Sequence, residues 1–169
     1  MSPYLQSALD EIDAATGRLP VEVIVRPAEG KWSIAQILEH LALAFSANAT
    51  ALEKALASGE LRARTPRVSQ VLGRVLVIDF GYFPRVPAPE ATRPSGIEPE
   101  RSLLSVRDAL LRVGSVLTRV GSRFGEAVRV ANHPYFGGLT VRQWRKFHWR
   151  HTCHHTRQIR ARCGAGVRA

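Results

Sequence analysis

The sequence predicts an all-α protein, a four-helix bundle with a long, partly helical crossover between its second and third helices. Two observations carry this expectation. Apolar residues recur at helical spacing in four long stretches, and two of those stretches open on the reciprocal Ser/Thr-x-x-Gln pattern that caps a helix N-terminus. A chain of 169 residues suits one domain over residues 1–169, since roughly two thirds of the unfolded surface is buried at that size.

The first helix runs from Pro3 to about Gly17, with Leu5, Ala8, Leu9, Ile12 and Ala15 on one face and Gly17 as its stop. Val21, Val23 and Val25 then alternate briefly, but Pro20, Pro27 and Gly30 confine the segment to an extended connector. The second helix begins at Ser33, because Ser33-Ile34-Ala35-Gln36 is a capping box, flanked by Trp32 and Ile37 as a hydrophobic staple. Its apolar stripe of Ile34, Ile37, Leu38, Leu41, Phe45, Leu52 and Leu56 holds until Ser58-Gly59. From Glu60 to Glu100 the pattern loosens: Val68, Val71, Leu72, Val75 and Leu76 predict a short helix, and Phe80, Tyr82, Phe83 and a proline-rich stretch follow. Such a crossover can return the chain along the bundle, so that the third helix runs parallel to the second. That third helix spans Glu100 to Arg123, with Leu103, Leu104, Leu110, Leu111, Val113, Val116, Leu117 and Val120 as a broad apolar face. Asn132 to Leu139, with Pro134, Gly137 and Gly138, reads as an irregular loop. Thr140-Val141-Arg142-Gln143 is a second capping box, with Leu139 and Trp144 as its staple, and opens a fourth helix that ends near Cys163.

A composition of 45% hydrophobic and 22% charged residues is that of a soluble globular protein. No stretch approaches the ~18 to 20 apolar residues of a membrane span. Met1 to Leu5 lacks a basic stretch followed by an apolar run, and Cys153 and Cys163 form no disulfide framework, so the expected address is the cytoplasm. The formal charge of +10 raises the question of a nucleic-acid partner. Its basic residues are spread over Arg62 to Arg74, Arg101 to Arg123 and Arg142 to Arg168 rather than gathered in a stripe, which favours a solvated surface. There is no G-x-S-x-G elbow, phosphate loop or dinucleotide fingerprint, so serine hydrolase, P-loop and Rossmann readings have no support. Acids offer little either: Glu39 faces about 100° away from His40 on a helix, and Asp79 and Glu126 sit in irregular segments. No general base is named.

Four of the six histidines fall between His148 and His155. On a helix His151 and His155 lie about 40° apart, and Trp144, Phe147, His148 and Gln158 share their face. The opposite face, with Arg142, Lys146, Trp149, Arg157 and Arg160, is expected to meet solvent, which turns the histidines inward. One helical turn is the separation at which two imidazoles grip a single ion. His40 is the natural third ligand, at the edge of the second helix's stripe beside Ala44, Ala47 and Ala51, whose small side chains let a neighbour approach or leave room for a metal and a substrate. Three histidines with a fourth position open is the pattern of catalytic metal sites, and neutral imidazole suits zinc, nickel, iron or copper.

Each histidine also has a structural reading. His40 alone could be a hydrogen-bonded residue at the core edge, whereas burying the pair His151 and His155 unpartnered costs free energy without return, which favours ligation. His148 is expected to line the pocket or replace a ligand, His154 to hydrogen-bond at the rim, and His133 to stabilise its turn or edge the pocket. Trp144 and Gln158 line the same face, and Cys153 points away from it.

The phrase Lys31-Trp32-Ser33-Ile34-Ala35-Gln36-Ile37-Leu38-Glu39-His40-Leu41, together with His151-Thr152-Cys153-His154-His155-Thr156-Arg157-Gln158-Ile159, resembles the DinB-like superfamily in order and separation. His133-Pro134-Tyr135-Phe136-Gly137-Gly138-Leu139-Thr140 is similar to one branch of it, a domain family of unknown function numbered 1569 (DUF1569). The resemblance spans nearly the whole chain. It implies a four-helix bundle with a long connection between helices two and three, and a divalent metal held by one histidine of helix two and two of helix four, which are His40, His151 and His155 here. Characterised relatives include thiol transferases that use bacillithiol, mycothiol or glutathione, and some pair into homodimers. The expected function is therefore a metal-dependent transferase or hydrolase, using zinc, nickel or iron, that acts on a small molecule or a low-molecular-weight thiol conjugate. The rival expectations are a non-catalytic metal-binding protein and a nucleic-acid-binding helical module.

Overall fold

Both capping boxes form. Ser33 Oγ accepts from the Gln36 amide at 3.2 Å while Gln36 Oε1 accepts from the Ser33 amide at 2.9 Å, and Thr140 and Gln143 repeat the exchange at 3.2 and 3.0 Å. Each box satisfies two groups at a helix start that would otherwise lack partners. The structure, a computed structural model, describes residues 1–26, 30–61, 63–84 and 87–165, with side chains as far as Cys163. Pro27 of the connector and Arg62 and Arg168 of the basic segments lie outside the described residues.

In chain order the elements are α1 (Pro3–Thr16), α2 (Val21–Val25), α3 (Ile34–Ser58), α4 (Val68–Arg74), α5 (Pro99–Phe124), β1 (Arg129–His133), β2 (Gly137–Thr140) and α6 (Val141–Ala165). The four long helices make the bundle, and their inward faces meet in one core that includes Leu5, Ile12, Phe45, Leu52, Val113, Leu117, Trp144 and Ile159. α3 ends where Gly59 adopts φ 70°, a conformation that costs glycine little.

Side-chain bonds set the helix directions. Glu39 reaches the amides just ahead of α5, Arg112 bonds Glu53 midway along, and Arg123 donates to the Leu56 carbonyl at the far end, so α3 and α5 run parallel. α6 runs against α3, since Phe45 packs on His148 near one end and Arg162 donates to the Trp32 carbonyl near the other. α1 lies along α6 in the same direction, with Tyr4 against Trp149 and Glu11 accepting from Thr156 and Arg160. A parallel neighbour for α3 requires the chain to travel back the length of the bundle, which is what the crossover does. Its helix α4 continues as a turn of π-helix, Val75–Asp79, whose Val77 and Ile78 enter the core.

Several expectations are corrected. The connector after α1 is a single helical turn: the Val23 and Ile24 amides bond back to the Pro20 carbonyl, and Ile24, which lies outside the valine alternation, is the residue that reaches the core. The predicted loop from Asn132 to Leu139 is a β-hairpin pairing Ala131 with Leu139 and His133 with Gly137. Its glycines mark close backbone approach rather than irregularity, for a Cβ on Gly138 would lie 2.7 Å from the Arg64 carbonyl oxygen of the chain crossing it. On α5, Leu104 and Leu111 are exposed, and Ser102, Val106 and Ala109 are buried instead. Trp149 is partly buried rather than exposed, because α1 packs on that side of α6 and the ring adjoins the core. Among the described residues no helix is long and apolar enough to cross a membrane.

Gly138→Ala should cost about 1–3 kcal/mol, because backbone atoms rather than a flexible side chain must yield; a urea midpoint equal to that of the wild type would contradict this packing.

Candidate metal centre

Antiparallel packing sets the second turn of α3 opposite the middle of α6, and this brings His40, His151 and His155 together. One ring nitrogen from each lies within 4.8 Å of the others. The ring centroids are 5.4 Å apart for His40 and His151, 4.8 Å for His40 and His155, and 4.6 Å for His151 and His155. His40 and His155 are buried and His151 nearly so.

The hydrogen bonds around two of these rings fix their tautomers. His40 Nδ1 lies 2.7 Å from the Thr92 carbonyl oxygen, which can only accept, so Nδ1 carries the proton and Nε2 keeps its lone pair. His155 Nδ1 donates to Gln158 Oε1 at 2.9 Å, which leaves its Nε2 free in the same way. That nitrogen stands 3.0 Å from Nε2 of His151. Two lone pairs at this separation repel unless a proton or a cation lies between them. His151 is oriented by rings instead, stacked on Phe147 on one side and Phe83 on the other, and its buried Nδ1 has no hydrogen-bond partner among the described residues.

Burial lowers the pKa of all three imidazoles, since a charged ring loses more hydration than a neutral one. His155 is pushed down to about 3 by burial and then by His40 and His154, against the opposing Gln158 bond. His151 falls well below its ordinary value, through burial first and its histidine neighbours second. For His40 burial outweighs the bond to Thr92, which favours the charged form. The triad is therefore neutral at neutral pH, the state in which imidazole binds metals.

The other expected site residues are placed as follows. Gln158 bridges the triad to its rim, since its Nε2 donates to Nε2 of His154 at 3.1 Å while its Oε1 holds His155. His154, half-buried, lies at that rim under Phe83 with ring centroids 4.7 Å apart. His133 stacks on Phe136, and its Nδ1 accepts from the Tyr135 amide at 3.2 Å, so it holds the hairpin turn. Trp144 is a fully buried core residue. His148 is fully buried among Phe45, Trp144 and Phe147, and neither of its ring nitrogens has a hydrogen-bond partner among the described residues. Along the small-residue edge of α3, Ala44 is buried while Ala47 and Ala51 are exposed, and Ala51 lines a groove of about 420 Å³ with Lys54, Ser58 and Val130, further along the helix. Trp32, expected in a staple, lays its ring 5.0 Å from His40.

Thr92 and Phe83 were given no role at the site by the sequence, and Glu39 was weighed only as an acid facing away from His40. Glu39 is buried, and its carboxylate accepts from the Ser95 amide and hydroxyl and from the Gly96 and Ile97 amides. Burial opposes its ionisation, yet these bonds prevail and hold its pKa below the ordinary value. Asp79 pairs with Lys146 and Glu126 with Arg145, both on α6 before the histidine pair.

Fold and site together define a helical-bundle protein with a buried cluster of three neutral imidazoles compatible with a metal ion. The family model described as the DinB superfamily matches residues 4–159, and the chain belongs to that superfamily. Comparisons with curated proteins and with solved structures find no significant match.

The buried histidines give the metal-free protein a defined pH response. His133 and His148 are both pushed down to about 3, by burial and, for His148, by His133 as well. The unfolded chain therefore takes up protons that the folded chain refuses, so stability is complete above pH ~6.5 and declines as pH falls toward 3. The urea midpoint should be flat above neutrality and drop below it. His148→Phe, which fits among the same rings and leaves no nitrogen unpartnered, should raise stability by about 1 kcal/mol and flatten that decline. A destabilised variant with an unchanged acid limb would show that His148 has a polar partner.

Proposed function

We propose that the chain is a metal-dependent enzyme, a transferase or hydrolase that acts on a small molecule or a low-molecular-weight thiol conjugate through His40, His151 and His155. The observation that carries this reading is the 3.0 Å approach of the His151 and His155 Nε2 atoms inside the bundle, beside a third imidazole whose free nitrogen faces them. The donor set fits a divalent ion of the zinc, nickel or iron type: two imidazole nitrogens on a tetrahedral zinc ion stand about 3.3 Å apart. When bound, such an ion supplies Lewis acidity, which lowers the pKa of a water or thiol and polarises a carbonyl or similar group.

The chain's own residues do the rest. Thr92 and Gln158 hold two of the rings with their lone pairs inward, the arrangement by which outer partners orient metal-binding histidines. Trp32 and Phe83 flank the cluster, with ring centroids 5.0 Å from His40 and 5.8 Å from His151 respectively. Three protein ligands leave a coordination position for substrate, which favours catalysis over a purely structural ion. The thiol, the cytoplasmic location and a homodimeric assembly belong to the same proposal. So does membership of the branch numbered 1569, which the motif from His133 to Thr140 supports.

Metal-replete wild type should carry about one divalent ion per chain, and His151→Ala and His155→Ala should each lose most of it. Substoichiometric metal that these variants leave unchanged would remove the reading. Metal-loaded protein that conjugates no low-molecular-weight thiol to any electrophile tested and hydrolyses no thioester or amide would leave only a non-catalytic metal-binding protein.

A further inference from the structure

Glu39 precedes His40 on α3 but points away from the triad, into the crossover. A buried carboxylate is costly unless every lone pair is engaged, and both oxygens of Glu39 are engaged. Oε1 accepts from the Ser95 amide at 2.8 Å and its hydroxyl at 2.7 Å, and Oε2 accepts from the Gly96 and Ile97 amides at 2.8 and 3.2 Å. No cation pairs with this carboxylate among the described residues. Gly96 adopts φ 91°, a conformation rare for any other residue, which helps turn consecutive amides toward one carboxylate. Three residues earlier the same strand of crossover presents the Thr92 carbonyl to His40 Nδ1. Residues 92–97 are thus pinned to one turn of α3 at two points, by neighbouring side chains.

We infer that Glu39 is a positioning residue for His40: by clamping Ser95–Ile97 it holds the Thr92 carbonyl in place, and so fixes which imidazole nitrogen of His40 faces His151 and His155. The inference rests on the reading of the triad as a metal centre. The clamp and the tautomer are linked because the short segment between them has few other anchors. Thr92 closes a single 3₁₀ turn on Pro89, and beyond Ile97 the chain enters α5. With the carboxylate removed, the carbonyl is free to leave His40. The ring then exchanges tautomers and rotates, and a divalent ion loses one of three prearranged ligands. Loss of an outer partner of this kind costs about 10–100-fold in metal affinity.

Glu39→Gln keeps the shape of the side chain but aims an amide NH₂ at donors. Isotope-edited NMR of the imidazole nitrogens, a Co²⁺ competition titration and a urea midpoint test it on the whole chain. Wild type should show His40 protonated at Nδ1 alone. In Glu39→Gln that signal should average over both nitrogens while the His155 tautomer stays fixed, and Co²⁺ affinity should fall about tenfold or more. Ser95→Ala, which removes one of the four donors and keeps the charge, should shift both readouts the same way by less, and it decides the matter if Glu39→Gln fails to fold. A wild-type His40 tautomer in the variants, with Co²⁺ affinity within about twofold, would overturn the inference whatever happens to the urea midpoint. Wild type that binds no Co²⁺ would overturn the metal-centre reading instead, and the tautomer readout would still decide what Glu39 does.

Discussion

The architecture depends on the contact between α3 and α6, where three uncharged imidazoles occupy space that a bundle ordinarily fills with hydrocarbon. Each ring brings a nitrogen lone pair into the interior, and the Nε2 atoms of two of the rings meet at hydrogen-bond distance. The surroundings act on the rings consistently. Burial keeps them neutral, a backbone carbonyl and an amide side chain turn two of them inward, and aromatic faces clamp the third. Such a constellation is costly to bury for its own sake, and an ion drawn to it would bind the folded chain and not the unfolded one, stabilising the fold by mass action.

The crossover is part of the same arrangement. Because α3 and α5 run parallel, the chain between them must pass back along the bundle, and on its way it supplies Val77 and Ile78 to the core, Phe83 to the rim of the cluster and Thr92 to His40. A direct hairpin between α3 and α5 would need no such segment and would leave His40 without its carbonyl. Topology and site are thus coupled through a stretch that forms little regular structure.

Much of this was legible because two capping boxes set the phase of α3 and α6. Once Ser33 and Thr140 are fixed as starts, helical geometry puts His151 and His155 on one face and His40 at the edge of a stripe, and the structure brings those three together. What was not legible depends on partners far away in sequence. Thr92 sits in a proline-rich stretch without periodicity, and nothing local marks its carbonyl as a histidine's partner. Glu39 was placed about 100° from His40, yet its role depends on amides more than fifty residues later. The paired glycines at 137 and 138 read as an irregular loop because sequence alone does not distinguish a glycine needed for flexibility from one needed for clearance. Trp149 and the outer leucines of α5 were misplaced for a related reason: periodicity gives a helix its apolar faces, while the neighbours decide which of them is covered.

The central claim is that all three histidines converge on one ion. X-ray absorption at the metal edge of zinc-loaded protein tests it most directly. The account predicts a first shell of nitrogen or oxygen at about 2.0–2.1 Å, with the outer-shell scattering of three imidazoles and no sulfur. A spectrum with one imidazole or none, or with a cysteine thiolate in the first shell, would contradict it.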